Sequence, residues 1–158
     1  MQFNSRFLLS NPGIHTITAG CKYPSEFKEH LVVTDNIGPL TDEEREIEKR
    51  LDRHYRLRLG EDWCTECWDC VSHCPEGIVI PDVLRCRNLA ETFDMDAYAR
   101  FRYGAFGSIG HWCTGPNGGA CTECGDCLPH CPEGLDIPKL LHETHTRFDT
   151  GGRSRRFA

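Results

Sequence analysis

The stretch CTECWDCVSHCPEGIVIPDVL at residues 64–84 decides how this chain is read, because it returns as CTECGDCLPHCPEGLDIPKLL at residues 121–141. The copies agree at 14 of 21 positions, with an offset of 57 residues. Each carries C-x2-C-x2-C-x3-C-P: Cys64, Cys67, Cys70 and Cys74 before Pro75, then Cys121, Cys124, Cys127 and Cys131 before Pro132. Thiolates at this spacing form the bacterial run that holds a cubane iron–sulfur cluster. The agreement extends past the cysteines to Thr65/Thr122, Glu66/Glu123, His73/His130, Glu76/Glu133 and Gly77/Gly134. Two copies make a pseudo-twofold unit, not a solenoid.

Three thiolates on a short loop reach three irons of one cube, while the fourth is turned away by the following proline and serves the other cluster. Carried over to this chain, Cys64, Cys67, Cys70 and Cys131 hold one [4Fe-4S] cluster, and Cys121, Cys124, Cys127 and Cys74 hold the second. The alternative is a structural zinc domain with four cysteines per ion, since paired C-x2-C units also serve zinc. Zinc prefers two separated pairs, so four cysteines within one short run ending in proline favour iron–sulfur. The chemistry expected is one-electron transfer, with no catalytic residue in the chain itself.

Of eleven cysteines, the eight ligands leave Cys21, Cys86 and Cys113, an odd number that argues against a disulfide framework and for a reducing compartment. Cys86 and Cys113 read as small buried side chains. No apolar stretch approaches a membrane span, and Asn11, Pro12 and His15 interrupt the start as an export signal, so a cytoplasmic location is expected. The formal charge of −6 disfavours nucleic acid as a partner. Arg153, Arg155 and Arg156 read as the end of a disordered tail over 149–158.

The 46 residues between Cys74 and Cys121 are patterned for helices, with Val83, Leu84 and Leu89, then Met95, Tyr98 and Phe101, at helical intervals. This insert favours an all-helical arrangement, with Gly104–Gly110 and Gly115–Gly119 as loops wrapping the second cluster. In each copy I-P-x-[VL]-L reads as a helix start. Trp63, Trp68 and Trp112 flank the cluster loops, as water shields or as ordinary packing. His73 and His130 stand open between a bond to cluster sulfur, a proton relay and packing. Upstream, Thr41 and Glu44 form a capping box for a helix over 41–59, Pro24 opens a shorter helix over 24–31, and His15–Thr18 reads as a strand.

FLLSNPGIHTITAGCKYPSEFKEHL at residues 7–31, followed by PLTDEE, resembles the closing βα segment of aldo-keto reductases. One branch of that family carries a carboxy-terminal two-cluster ferredoxin region, which residues 60–145 resemble. The resemblance implies a mainly α protein: a helical two-[4Fe-4S] ferredoxin-like domain preceded by a short βα remnant of a (β/α)8 barrel. It divides the chain into a barrel-end segment at 1–40, a linking helix at 41–59, the dicluster domain at 60–148 and the tail. A complete barrel needs roughly 250 residues, and the family's catalytic tyrosine, lysine, aspartate and histidine belong to strands earlier than any present here.

The family's nucleotide loop falls on Gly20, Cys21, Glu26, Glu29 and His30, where Glu26 in place of arginine would repel a 2′-phosphate. Each cluster motif is also one residue longer than that branch's pattern, His73 and His130 being the additions. The implied role is an electron-transfer module serving a redox protein partner or a separate barrel chain, either a natural short subunit or a truncated product, with a homo-oligomer as a further option. The alternative is a subunit of a heterodisulfide-reductase-like or split oxidoreductase complex.

Overall fold

Prolines at 24, 81 and 138 each sit in the first turn of a helix, where a missing N–H costs nothing and the fixed φ is already helical. The computed structural model describes residues 2–107 and 113–151. Its α-helices are α1 (Gln2–Leu9), α2 (Pro24–Thr34), α3 (Asp42–Leu59), α4 (Ile80–Phe93), α5 (Asp96–Tyr103) and α6 (Ile137–Phe148). Short 3-10 turns lie at Gly60–Asp62, Val71–His73, Gly118–Ala120 and Leu128–His130. Among the described residues there is no strand, and no helix is long and apolar enough to cross a membrane. The chain divides into two compact units, Met1–Arg53 and His54–Ala158.

In the first unit, α1 packs on α2 through Ser5 and His30, whose Oγ and Nδ1 lie 2.7 Å apart, and through Gln2, which donates to Glu29 at 2.7 Å. Arg6 ties three segments together. Its guanidinium donates to the carbonyls of Asn36 (2.6 Å) and Pro39 (3.2 Å) and pairs with Glu44 at the start of α3. The expected capping box is formed: the Thr41 N–H donates to Glu44 at 2.8 Å and the Glu44 N–H to the Thr41 hydroxyl at 3.2 Å.

One expectation needs correction here. The strand read over His15–Thr18 does not form, so the βα pair becomes a lone helix after irregular chain. A strand needs a partner to take its backbone N–H and C=O groups, and none is present among the described residues. Residues 2–9, which precede it, are helical instead.

In the second unit the repeat is reproduced in the backbone. Val71–His73 and Leu128–His130 are equivalent turns, and α4 and α6 both begin at the repeated isoleucine, Ile80 and Ile137. Cys74 and Cys131 share φ of −89° and −91° with ψ of 110° in both. Glu66 and Glu123 take φ of 60° and 58°, Gly77 and Gly134 of 67° and 65°. The core is one cluster of Ile78, Ile80, Val83, Leu84, Leu135, Ile137, Leu140 and Leu141, joined by Tyr103 and Phe148 from α5 and α6.

Two glycines after α5 pack closely, Gly115 on Gly77 of the first module and Gly118 on the Leu141 carbonyl of the second. A Cβ on Gly115, which has φ of +77°, would lie 2.6 Å from the carbonyl oxygen of Gly77. Gly118 donates its N–H to the Tyr103 hydroxyl at 3.0 Å, and that hydroxyl lies 2.9 Å from His145 Nδ1. Residues 108–110 of the expected loop, Trp112 and the arginines of the tail lie outside the described residues.

Candidate metal centre

Each cysteine run is a chain of tight turns, and the turns fix where its sulfurs go. In the first module Val71 donates its N–H to the Trp68 carbonyl (3.1 Å), Cys74 to Val71 (3.3 Å) and Gly77 to Cys74 (3.1 Å). In the second, Leu128 donates to Gly125 (3.0 Å), Cys131 to Leu128 (3.2 Å) and Gly134 to Cys131 (3.1 Å). The fourth cysteine of each run therefore closes a 3-10 turn and leaves in extended geometry, facing away from the first three.

The consequence is visible in two pockets. One is lined by Cys64, Cys67, Cys70 and, from the other module, Cys131, with Ile80, Pro81, Leu84, Leu135 and Ile137. The other is lined by Cys121, Cys124, Cys127 and, from the first module, Cys74, with Ile80, Pro138 and Leu141. Ile80 lines both. The modules are also strapped reciprocally: Thr65 donates to Glu133 (3.1 Å) and Thr122 to Glu76 (3.3 Å), the same pair of positions in opposite directions.

Burial raises the thiol pKa values. Desolvation pushes Cys64 up to about 11, Cys70 up to about 12 and Cys127 up to about 11, and the neighbouring cysteines add to the rise. Thiols this weakly acidic stay protonated at neutral pH, whereas a metal-bound sulfur is a thiolate, so filling either pocket displaces protons. Cys67 and Cys124 are the exposed members, one at the rim of each pocket. The donor set of four sulfurs on an apolar wall suits an iron–sulfur cube. Among the described residues no group of three or more His, Cys, Asp or Glu side chains converges as a single metal ion would require. A zinc site would demand all its ligands within roughly 2.3 Å of one point.

Around the pockets, Asn88 on α4 is buried and donates its amide to the Cys64 carbonyl at 2.8 Å, leaving its own Oδ1 without a partner. Sequence reading missed this residue, since a lone asparagine in a helix carries no motif. His73 and His130 stack face to face, with ring centroids 3.3 Å apart and planes at 4°. Trp63 packs as one of the two sequence readings has it, stacked on Tyr55 at 5.4 Å with the Arg56 guanidinium 5.0 Å from its ring centre. Trp68 is exposed. Cys86 and Cys113 are buried and unligated by either pocket, with Cys86 pushed up to about 12 by desolvation.

The nucleotide-loop positions of the first unit are tied up in local contacts. Glu26 accepts from the N–H groups of Lys22 (2.6 Å) and Tyr23 (3.2 Å) at the start of α2. Glu29 and His30 are engaged with α1, and Cys21 is exposed.

No curated protein and no solved structure matches the chain. Residues 63–137 match the family model of the 4Fe-4S dicluster domain, a span that takes in all eight pocket cysteines and both strapping pairs. With sulfur-lined pockets at its centre, this part of the chain is an iron–sulfur domain of ferredoxin type, a domain for binding 4Fe-4S clusters.

Proposed function

We propose that residues 60–148 are a two-cluster electron-transfer module, in which Cys64, Cys67, Cys70 and Cys131 hold one [4Fe-4S] cluster and Cys74, Cys121, Cys124 and Cys127 the other. The observation that carries this reading is the sorting of eight thiols into two pockets of four, each completed by the opposite module. When bound, such clusters supply one-electron storage and transfer. The chain's own residues supply everything around that chemistry. Eight thiolates fix position, Ile80, Leu84, Leu135 and Ile137 exclude water from the inner walls, and the reciprocal Thr–Glu straps hold the halves in register. Cys67 and Cys124 at the rims are the places where an electron donor or acceptor can come close.

The partner in this reading is another redox protein. The LSNPG segment supports the finer reading that this partner is an aldo-keto reductase-type barrel, against which residues 14–18 would find the strand pairing they lack here. Anaerobically purified protein should be brown, bleach on reduction, and contain about eight irons and eight sulfides. It should exchange electrons with methyl viologen while failing to reduce aldehydes with NADPH. Stoichiometric zinc without sulfide overturns the proposal.

A further inference from the structure

The repeat is closely followed in the backbone, and one of the positions where its residues differ points to a surface. Gly125 takes φ of +82°, a conformation glycine enters without cost. Its counterpart in the first module is Trp68, held at φ of +71°. A bulky side chain in the left-handed region is an outlier, because its Cβ crowds the following carbonyl. The residue that fits this turn best is the one the second module has. Trp68 is 47% exposed, and among the described residues its indole has no hydrogen-bond or ring partner. Trp63, five residues earlier, is stacked on Tyr55 with the Arg56 guanidinium over its ring.

We propose that Trp68 is the anchor by which a redox partner protein docks on the first module, the partner presenting an apolar pocket for the indole inside a rim of lysine and arginine. The proposal rests on the electron-transfer reading above and names the port. Trp68 directly follows Cys67, the exposed member of the first pocket, so a partner seated on the indole is brought to the edge of that pocket. Charge sets the partner's chemistry. Residues 61–82 contain six carboxylates, of which Asp62, Glu66 and Asp82 pair with Arg85 or Arg87, and residues 119–138 contain four with no lysine or arginine among them. Exposed Asp69 is the next residue in the chain. An exposed aromatic centre within a charged rim is the arrangement of an interface hot spot, and complementary charge steers the encounter. The second module, with Gly125 at this point, lacks the anchor.

The test uses oxidised and photoreduced holoprotein with cytochrome c, a lysine-ringed haem protein, as the probe and methyl viologen as a control too small to need docking. Each turnover moves one electron from the reduced module to the ferric haem, which becomes ferrous, with no bond made or broken. W68G is the informative variant, because Gly125 shows that the turn accepts glycine. It should keep the parent's iron content and melt no lower than the parent, since the left-handed turn suits glycine better. Its dissociation constant for cytochrome c at low salt, measured calorimetrically between the oxidised proteins, should rise about tenfold, the loss of one interface anchor. Its bimolecular rate with cytochrome c should fall in step, and its rate with viologen should stay that of the parent.

Equal binding and equal cytochrome rates in parent and W68G overturn the docking assignment and leave the electron-transfer reading standing. Failure of the parent to bind cytochrome c at low salt overturns the partner chemistry. Absence of viologen exchange in the parent brings down both readings.

Discussion

His73 and His130 occupy the same position in the two repeats and lie ring on ring, 3.3 Å between centroids and 4° from parallel. Each precedes the cysteine that crosses to the other module's pocket, so the stack joins the two modules where their chains exchange ligands. Replacing His73 by alanine should destabilise the holoprotein by about 1 kcal/mol, the worth of one aromatic pair, and phenylalanine should restore most of it. Denaturant titration of the two variants checks this. A full loss in the phenylalanine variant would mean that the ring nitrogens, not the stacked faces, matter.

Cys74 lines the pocket whose other cysteines are Cys121, Cys124 and Cys127. Alanine at 74 should therefore damage the second cluster and spare the first, with iron falling from about eight towards four. Electron paramagnetic resonance of the reduced variant should retain one uncoupled signal. Loss confined to the cluster of Cys64, Cys67 and Cys70 would mean that each run holds its own cluster.

Asn88 spends its amide on the Cys64 carbonyl and has no partner for its Oδ1. Truncation to alanine strands that carbonyl and opens a small void, and should cost about 2 kcal/mol. Aspartate should be worse, since it puts an acceptor against an acceptor in a buried place. Thermal melts followed by visible absorbance should show the loss first in the cluster band, because the displaced carbonyl belongs to a ligand residue.

The Arg6 guanidinium, and after it the Thr41 N–H, push the Glu44 carboxyl down to about 2 from an ordinary 4.5. A carboxyl whose folded pKa is depressed contributes stability above its unfolded pKa. That contribution is complete above about pH 4.5 and fades as pH falls towards 2. Acid titration of helicity should show the first unit loosening in this window, and E44Q should remove that pH dependence while lowering stability at pH 7.

The sequence by itself determined what depends on short-range spacing. The cysteine runs, the prolines that open α2, α4 and α6, and the Thr41–Glu44 box act within four or so residues, and local geometry suffices to read them. Tertiary structure decided what depends on distant partners. His15–Thr18 has strand-like residues but no neighbouring strand to pair with, so it stays irregular, while Gln2–Leu9 becomes helical against α2. Trp63 and Trp68 are the same residue type five positions apart. One is stacked on Tyr55 and the other is half exposed at a glycine-like φ, a difference that depends on which distant side chains each meets. Asn88 likewise acquires its role only because α4 brings it beneath Cys64, twenty-four residues earlier in the chain.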